Sequence, residues 1–170
     1  MNSDIHLSPI GTIHSPFADP KEMPIQPASA SGVPGKVVVQ AEFQEGLKDL
    51  DGFSHIILLY YFHLSSGYNL LPKPFLDDEP RGLFATRAPR RPNPIGFSIL
   101  RLEKIDGLTL YVSNIDIIDG TPLLDIKPYV PAFDSHADAT IGWLSGKLHR
   151  LSNFKSDDRF SVPPSTLEDT

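Results

Sequence analysis

The chain has 170 residues, of which 40% are hydrophobic and 21% are charged, and its formal net charge is −6 at pH 7. This length can bury one sizeable core, so we expect one main domain. The absence of cysteine excludes a disulfide, a thiolate nucleophile and a Cys-ligated zinc site. No apolar run approaches the roughly 20 residues of a membrane-spanning helix, and the first residues lack a signal-peptide pattern, which predicts a soluble, cytoplasmic protein without a membrane partner.

Two segments, 16–34 and 72–94, hold most of the 17 prolines, and they predict ordered loops that interrupt regular structure. A first strand is predicted over residues 5–14, before the first of these loops. The segment KVVVQAEF at 36–43 predicts a second strand, and QEGLKDLDGF at 44–53 predicts a short helix of about two turns.

The clearest strand signals lie in the middle of the chain. The run SHIILLYYFH at 54–63 holds seven consecutive apolar or aromatic residues, which predicts a central strand buried on both faces. The segments 95–105 and 108–118 alternate apolar and polar residues on either side of Asp106-Gly107. This pattern predicts a β-hairpin.

The remaining segments predict minor elements. Residues 83–86 predict a brief strand, and 137–149 predict a short helix around Trp143. The composition indicates a barrel domain over 1–151, followed by a polar, loosely ordered tail over 152–170. Several short strands without strand–helix alternation favour an all-β, mainly antiparallel fold, a small closed or partly open β-barrel with short helices and long Pro-rich loops.

Five arginines lie between positions 81 and 101 without one acidic residue, although the whole chain is acidic. Guanidinium groups bind phosphate or carboxylate groups in a bidentate manner. Prolines at 89, 92 and 94 stiffen the backbone between them, and Gly96 permits a close approach. The pattern therefore predicts a site for an anionic ligand. The alternative is a solvated basic face that pairs with the chain's own acidic residues.

The segment RAPRRPNPIGFS, preceded by FATR, resembles the signature of the TsaA-like family, also called TrmO or YaeB-like. IGTIHSPF, GLKDLDGFSHIILLYYFH and IDIIDGTPLLDIKPYVP follow the family's order and approximate spacing, so the resemblance covers about residues 7–135. It implies a small β-barrel that binds S-adenosylmethionine, usually as a homodimer with the cofactor near the subunit interface. In the family's characterised branch it implies methylation of N6 of threonylcarbamoyl-adenosine beside the anticodon of tRNA.

The resemblance also implies a cofactor pocket, in which loop backbone groups bind an adenine edge and an arginine holds the methionine carboxylate. Its positions in this chain are Gln26, Pro27, Ala28, His63, Leu64, Arg87, Phe97, Ile117, Ile118, Asp119 and Gly120. Asp119-Gly120 is also a common tight turn, and His63 could simply end its strand with a hydrogen bond, so both alternatives stay open.

An exocyclic adenine nitrogen is a poor nucleophile, and an acceptor aimed at its hydrogens would help the reaction. Asn93, between two prolines, is the predicted catalytic residue, and the alternative is a hydrogen bond within its own turn. A tRNA substrate predicts steeply salt-dependent binding and a target base stacked on Phe84, Phe97 or Tyr129. The predicted RNA-binding residues are Arg81, Arg90, Arg91 and Arg101.

Two other classes of function are alternatives for this sequence. A histidine-based metal site is disfavoured because His55 and His63 lie about 26 Å apart on one extended strand, so no metal is expected. The stronger alternative is a protein that binds S-adenosylmethionine without methylating tRNA, as a sensor or with another acceptor. The chain ends soon after the predicted barrel, without the additional C-terminal domain of long bacterial members, and its net charge of −6 opposes tRNA binding.

Overall fold

The computed structural model describes residues 4–21, 23–24, 26–148 and 156. Within these residues, six strands close into a barrel in the order β1-β2-β5-β4-β3-β6, and every neighbouring pair is antiparallel. The strands are β1 (Gly11–His14), β2 (Pro34–Val39), β3 (His55–Tyr61), β4 (Ile95–Asp106), β5 (Thr109–Ser113) and β6 (Thr121–Pro128). The predicted antiparallel β-barrel is confirmed, in its closed form.

Alternating side chains along the strands fill the barrel interior. In β3, Ile56 and Leu58 are fully buried, and in β4 Leu100 is fully buried beside them. On the opposite face of β3, Ile57 is also buried, whereas Tyr61 at the end of the strand is exposed. Each fully buried aliphatic side chain stabilises the fold by about 1.5–3 kcal/mol relative to an exposed one.

The predicted hairpin is confirmed as the pair β4 and β5. The last pair of its ladder joins Asp106 to Thr109, so the connection has two residues, Gly107 and Leu108. Gly107 has a φ of +58°, a conformation that glycine adopts without steric cost.

The predicted helix at 44–53 is wrong in type. The chain forms two short 3-10 helices there, Ala41–Leu47 and Leu50–Gly52, separated by Lys48 and by Asp49, which has a φ of +65°. Leu47 and Leu50 both pack against the core. Leu47 is the last residue of the first helix and Leu50 is the first residue of the second, so both reach the core although a turn separates them.

The predicted strand at 83–86 is also wrong, because Leu83–Ala85 is a 3-10 helix. A closed barrel leaves no strand edge for such a segment to pair with. Within the short helix predicted over 137–149, the described residues include the 3-10 helix Gly142–Leu144, with glycines at a φ of +53° and +75° at positions 142 and 146. One α-helical turn, α1, lies earlier at Pro131–Asp134.

The antiparallel topology brings three long connections to one end of the barrel. These are the first loop (residues 15–33), the second loop (62–94) and the third loop (114–120), which join β1 to β2, β3 to β4 and β5 to β6. We call this the loop end. The two proline-rich segments therefore meet there, although they are far apart in sequence.

After β6 the chain returns from the opposite end along residues 129–148, which we call the returning segment. Its Trp143 reaches the loop end, where the indole Nε1–H donates to the carbonyl of Ala85 at 2.8 Å. Ser156 lies there too, and its backbone N–H donates to Met23 at 2.9 Å. The tail predicted over 152–170 and the domain boundary at 151 lie outside the described residues, apart from Ser156.

Candidate functional site

A cavity of about 1240 Å³ opens at the loop end of the barrel. All three loops contribute to its wall, through residues such as Gln26, Arg87 and Ile117, and the returning segment adds Trp143 and Leu144. Apolar side chains dominate this wall and a few polar groups converge on it, which is typical of a site for a small organic molecule. We call it the loop-end cavity.

Three residues from distant parts of the chain meet in this cavity. The Arg87 guanidinium donates to the side-chain oxygen of Gln26 at 3.1 Å, and its carbon lies 5.7 Å from the centre of the Phe97 ring. The ring and the amide hold the cation in one orientation. The predicted cofactor-binding residues that line the cavity are Gln26, His63, Leu64, Arg87, Phe97, Ile117 and Ile118.

The other four predicted cofactor positions lie beside the cavity, outside its lining. Pro27 and Ala28 belong to the 3-10 helix Pro27–Ser29, directly after Gln26. Gly120, at a φ of +76°, forms a turn before β6. Contact of Pro27, Ala28, Asp119 or Gly120 with a cofactor stays a prediction.

Asp119 joins the third loop to the first. Its Oδ1 accepts the backbone N–H of Ser15 at 3.1 Å and lies 3.0 Å from Nδ1 of His14. The Ser15 N–H holds the pKa of Asp119 below its usual range, and His14 adds to this effect. The tight-turn interpretation of Asp119-Gly120 rests on the backbone, where both residues form a turn and Gly120 has a φ of +76°.

The arginines predicted to bind RNA differ in their surroundings. Arg91 lines the cavity, donates to the carbonyl of Thr86 at 2.9 Å, and has its guanidinium 5.8 Å from the Phe84 ring.

Arg90 donates to the carbonyl of Ser66 at 2.9 Å. Arg101 lies on the outward face of β4, where its Nε is 3.3 Å from a Glu103 oxygen. RNA contact by these residues stays a prediction.

Arg81 belongs to an ion cluster that joins the second loop to the returning segment. Asp77, which is 8% exposed, accepts Nε–H and Nη2–H of Arg81 at 2.8 and 2.6 Å and Nζ–H of Lys147 at 2.6 Å. The Arg81 guanidinium also lies 5.7 Å from the Trp143 ring. These hydrogen bonds, those of Lys147 first, hold the pKa of Asp77 well below its usual range.

Asn93, the predicted catalytic residue, is exposed and lies outside the lining of the cavity. Its backbone carbonyl accepts the N–H of Ile95 at 2.8 Å, and the Pro94 carbonyl accepts the N–H of Phe62 at 2.8 Å. Tyr129, one of the three predicted stacking residues, follows β6 at the opposite end of the barrel. A role of Asn93 in the reaction stays a prediction.

The sequence interpretation missed a buried polar chain in the cavity wall. The Ser98 hydroxyl donates to Oδ1 of Asp116 at 2.8 Å. The Tyr60 hydroxyl lies 3.0 Å from the same Ser98 oxygen, and it donates there because the Ser98 proton is already given to Asp116. A Cβ on Gly96 would overlap the Tyr60 ring, so glycine makes room for it.

Burial sets the acidity of both ends of this chain. It raises the pKa of Asp116 to about 7, while the Ser98 hydrogen bond and the Arg87 charge oppose that rise. Burial also raises the pKa of the Tyr60 hydroxyl, and the nearby Asp116 raises it further. In the sequence, the available signal was an acidic residue set between Ile115 and Ile117 in an apolar stretch.

The residues that the structure describes contain neither a metal-binding cluster nor a membrane-spanning helix. Within them no group of three or more His, Asp or Glu side chains is placed to hold a metal ion. The same residues include no helix that is long and apolar enough to cross a membrane.

Comparison with known proteins shows which family the chain resembles. The chain matches the family described as tRNA-methyltransferase O N-terminal domain over residues 12–135. A probable S-adenosyl-L-methionine-binding protein of Pyrococcus abyssi is 53% identical over 152 residues, 89% of this chain and 83% of that protein. The human tRNA (adenine(37)-N6)-methyltransferase is 37% identical over 134 residues, 75% of this chain and 30% of the human protein.

Comparison with solved structures gives the same family. The crystal structure of TrmO from Pseudomonas aeruginosa is 41% identical and superposes with a TM-score of 0.71, over 84% of this chain and 62% of that one. The chain thus spans less than two thirds of the Pseudomonas and human relatives, but most of the archaeal one. Because the family match runs from β1 through α1, the chain belongs to the tRNA-methyltransferase O N-terminal domain family, the TsaA-like family that its motifs resemble.

Proposed function

We propose that the chain binds S-adenosylmethionine in the loop-end cavity and transfers its methyl group to N6 of an adenosine in tRNA. The observation that carries the proposal is the convergence of Gln26, Arg87 and Phe97 on one cavity. Relatives with the same fold are named as S-adenosylmethionine-binding proteins and as tRNA (adenine(37)-N6)-methyltransferases. These names and the cavity support a common chemistry.

The residues of the cavity fit this cofactor. Arg87 presents a cation that is oriented by Gln26 and suits the carboxylate of the methionine part. Phe62, Phe97 and Ile117 provide apolar surface for the adenine and the sulfur chain. S-adenosylmethionine supplies an electrophilic methyl group on its sulfonium when it is bound. The residues of the chain then exclude water and align the two reactants, which is the main requirement of a methyl transfer.

The acceptor that we propose is threonylcarbamoyl-adenosine next to the tRNA anticodon. A cavity of about 1240 Å³ exceeds the roughly 300–1,000 Å³ of a typical small-molecule pocket, so it has room for cofactor and acceptor. Phe84 lines the cavity, and its ring is 78% exposed and faces the Arg91 guanidinium. A base in an anticodon loop is unpaired, so stacking on such a ring needs no extrusion from a duplex. This activity would place the protein in the cytoplasm with its tRNA.

We also propose a homodimer with the cavity near the subunit interface. The second loop exposes a series of apolar side chains beginning at Leu64, which itself lines the cavity. These side chains are Leu64 at 59%, Tyr68 at 53%, Leu70 at 57% and Leu71 at 63% exposure. Their burial against a second copy would remove apolar surface from water beside the bound cofactor. Sedimentation velocity tests this, and a monomer at all concentrations contradicts it.

A second candidate function is S-adenosylmethionine binding without tRNA methylation. The net charge of −6 favours it, because tRNA affinity depends largely on neutralising phosphates. The two functions are separated by incubating the protein with labelled S-adenosylmethionine and tRNA that carries or lacks the threonylcarbamoyl group. Label at N6 of the modified adenosine, located by mass spectrometry of nucleosides, supports the proposed function. Cofactor binding without transfer to either tRNA supports the second.

A further inference from the structure

One carboxyl group of the loop-end cavity is tied to a hydrogen-bond chain inside the barrel. Asp116 lines the cavity and is flanked by Ile115 and Ile117, at 0% and 2% exposure. Behind it, Ser98 is 1% exposed and Tyr60 is 5% exposed. The Ser98 hydroxyl fixes one carboxyl oxygen, Oδ1, from the interior side, and the Tyr60 hydroxyl in turn holds the Ser98 oxygen. The carboxyl group is therefore held in place by residues of the barrel.

The proposed reaction needs such a group. N6 of threonylcarbamoyl-adenosine is bonded to both a purine ring and a carbonyl carbon, and its lone pair is delocalised into both. It becomes an effective nucleophile when its proton is removed as the new bond forms. N6 bonds to the methyl carbon, the bond between sulfur and that carbon breaks with its electron pair left on sulfur, and the N6 proton leaves to a base.

We propose that Asp116 is the catalytic residue that accepts this proton, and that Ser98 and Tyr60 are positioning residues that orient its carboxylate. This inference rests on the proposed function and adds the base to it. After transfer, the carboxylate has become a carboxylic acid, which releases the proton to water when the product leaves.

Other groups at the cavity suit the role less well. Asp19 is an exposed residue of the first loop, and its carboxylate already accepts the backbone N–H of Lys21 at 2.8 Å. His63 lines the cavity at the end of the strand that carries Tyr60, among the predicted cofactor positions. Among the described residues, Arg87 is the charged group that acts on the pKa of Asp116, and Asp116 in turn raises the pKa of Tyr60. Burial raises the pKa of Asp116 to about 7, which makes its carboxylate a stronger base than an exposed one.

The test compares Asp116→Asn, Asp116→Glu and the control Asp51→Asn, which removes an exposed carboxylate outside the cavity lining. Single-turnover methyl transfer is measured at saturating cofactor and modified tRNA, from about pH 5.5 to about pH 9. Calorimetry gives the affinity for S-adenosylmethionine in parallel. An independent measurement follows the ¹³C-labelled carboxyl resonance of Asp116 against pH in the protein without ligands.

We expect Asp116→Asn to lower the transfer rate by about 100-fold or more, with the cofactor affinity within about threefold of the wild type. The wild-type rate rises with pH to a plateau as Asp116 ionises, and this rise is absent in Asp116→Asn. Asp116→Glu restores part of the rate, and Asp51→Asn matches the wild type.

Three outcomes overturn the inference. In the first, the transfer rate of Asp116→Asn is within threefold of the wild-type rate. In the second, Asp116→Asn binds the cofactor more weakly but reaches the full transfer rate once the cofactor concentration is raised to saturation, which would make Asp116 a binding group. In the third, Asn93→Ala abolishes methyl transfer and Asp116→Asn retains it, which would assign the catalytic role to Asn93. If wild type and Asp51→Asn bind the cofactor but methylate no tRNA, the proposed function itself is wrong.

Discussion

The hydroxyl of Ser98 donates a hydrogen bond of 2.8 Å to Asp116, and this bond connects the barrel interior to the wall of the loop-end cavity. Ser98 faces inward from β4, and Asp116 belongs to the third loop. The inward alternation of one strand thus sets the orientation of a carboxyl group that lines the cavity. We therefore expect substitutions inside the barrel to change the pKa of Asp116 in the cavity wall.

Ser98→Ala should raise the pKa of Asp116, because it removes a hydrogen bond that stabilises the carboxylate. We expect the rising part of the pH–rate profile for methyl transfer to move up by about 1 pH unit. The ¹³C titration of Asp116 should move in the same direction. Ser135→Ala, at an exposed serine after α1, is the control. An unchanged profile together with an unchanged titration would show that Ser98 does not act on Asp116.

Asp116→Asn should stabilise the fold at alkaline pH while it removes activity. The pKa of Asp116 is raised to about 7 in the folded protein and is about 3.9 in an unfolded chain. Between these values the folded state binds more protons, so the stability of the wild type falls as pH rises through this window.

The asparagine variant does not ionise and escapes this loss. Because the folded and unfolded pKa values differ by about 3, we expect its free energy of unfolding at pH 8 to exceed that of the wild type by up to about 4 kcal/mol, or roughly 10 °C in Tm. Near pH 4 the two proteins should unfold together. Thermal denaturation at both pH values measures this, and a variant that is less stable at pH 8 would show that the charge of Asp116 is not desolvated.

Gly96→Ala should disturb the Tyr60 ring, because a Cβ at this position would overlap it. We expect a loss of about 1–3 kcal/mol in the free energy of unfolding in urea. Gly46→Ala, where a Cβ meets nothing within 4 Å, is the matched control. The double variant Gly96→Ala/Tyr60→Leu should lose less stability than the two single losses added together, since the smaller side chain relieves the overlap. Strict additivity would contradict the steric explanation.

Asp77→Asn should loosen the returning segment, because Asp77 binds Arg81 and Lys147 at once. The pKa of Asp77 is lowered in the folded protein. Its contribution to stability is therefore present above the unfolded pKa of about 3.9 and is lost as pH falls towards the folded value. We expect a lower Tm than the wild type at pH 7 and a difference that shrinks as pH falls below about 4.

Limited proteolysis adds a local readout of this ion cluster. The returning segment of Asp77→Asn should be cleaved sooner than that of the wild type at pH 7, because the ion pair that ties Lys147 to the second loop is weakened. Asp51→Asn should behave like the wild type in both assays. Equal cleavage and equal Tm at pH 7 would show that the cluster does not hold the segment.

Local signals in the sequence predicted the barrel well. The hairpin of β4 and β5 followed from alternation on both sides of Asp106-Gly107, and β3 from its long apolar run. The strand expected at 5–14 is regular only over Gly11–His14, although the N–H of Ile10 still donates to Leu123. The 3-10 helix Leu83–Ala85 could not be foreseen, because it depends on a closed barrel that has no free edge.

The cavity was predictable only where a motif marked it. Gln26, Arg87 and Phe97 came from the family resemblance, and the structure brings them together. Asp116 carried one local signal, its position between two isoleucines, and Trp143 carried none. Neither could be assigned to the cavity from the sequence, because their positions depend on contacts between distant segments. The hydrogen-bonded chain of Tyr60, Ser98 and Asp116 requires the register that sets Tyr60 beside Gly96 across β3 and β4. The pattern of apolar residues within one strand does not predict how that strand is aligned with its neighbour.

The central claim is that the loop-end cavity binds S-adenosylmethionine through Arg87. Calorimetric titration of the wild type, Arg87→Ala and Lys48→Ala tests it most directly, since Lys48 is an exposed cation outside the cavity lining. We predict saturable binding to the wild type and to Lys48→Ala, and an affinity at least about 10-fold lower in Arg87→Ala, since a hydrogen bond between charged groups is lost. Wild-type protein that releases no heat, or Arg87→Ala that binds as tightly as the wild type, would contradict the claim.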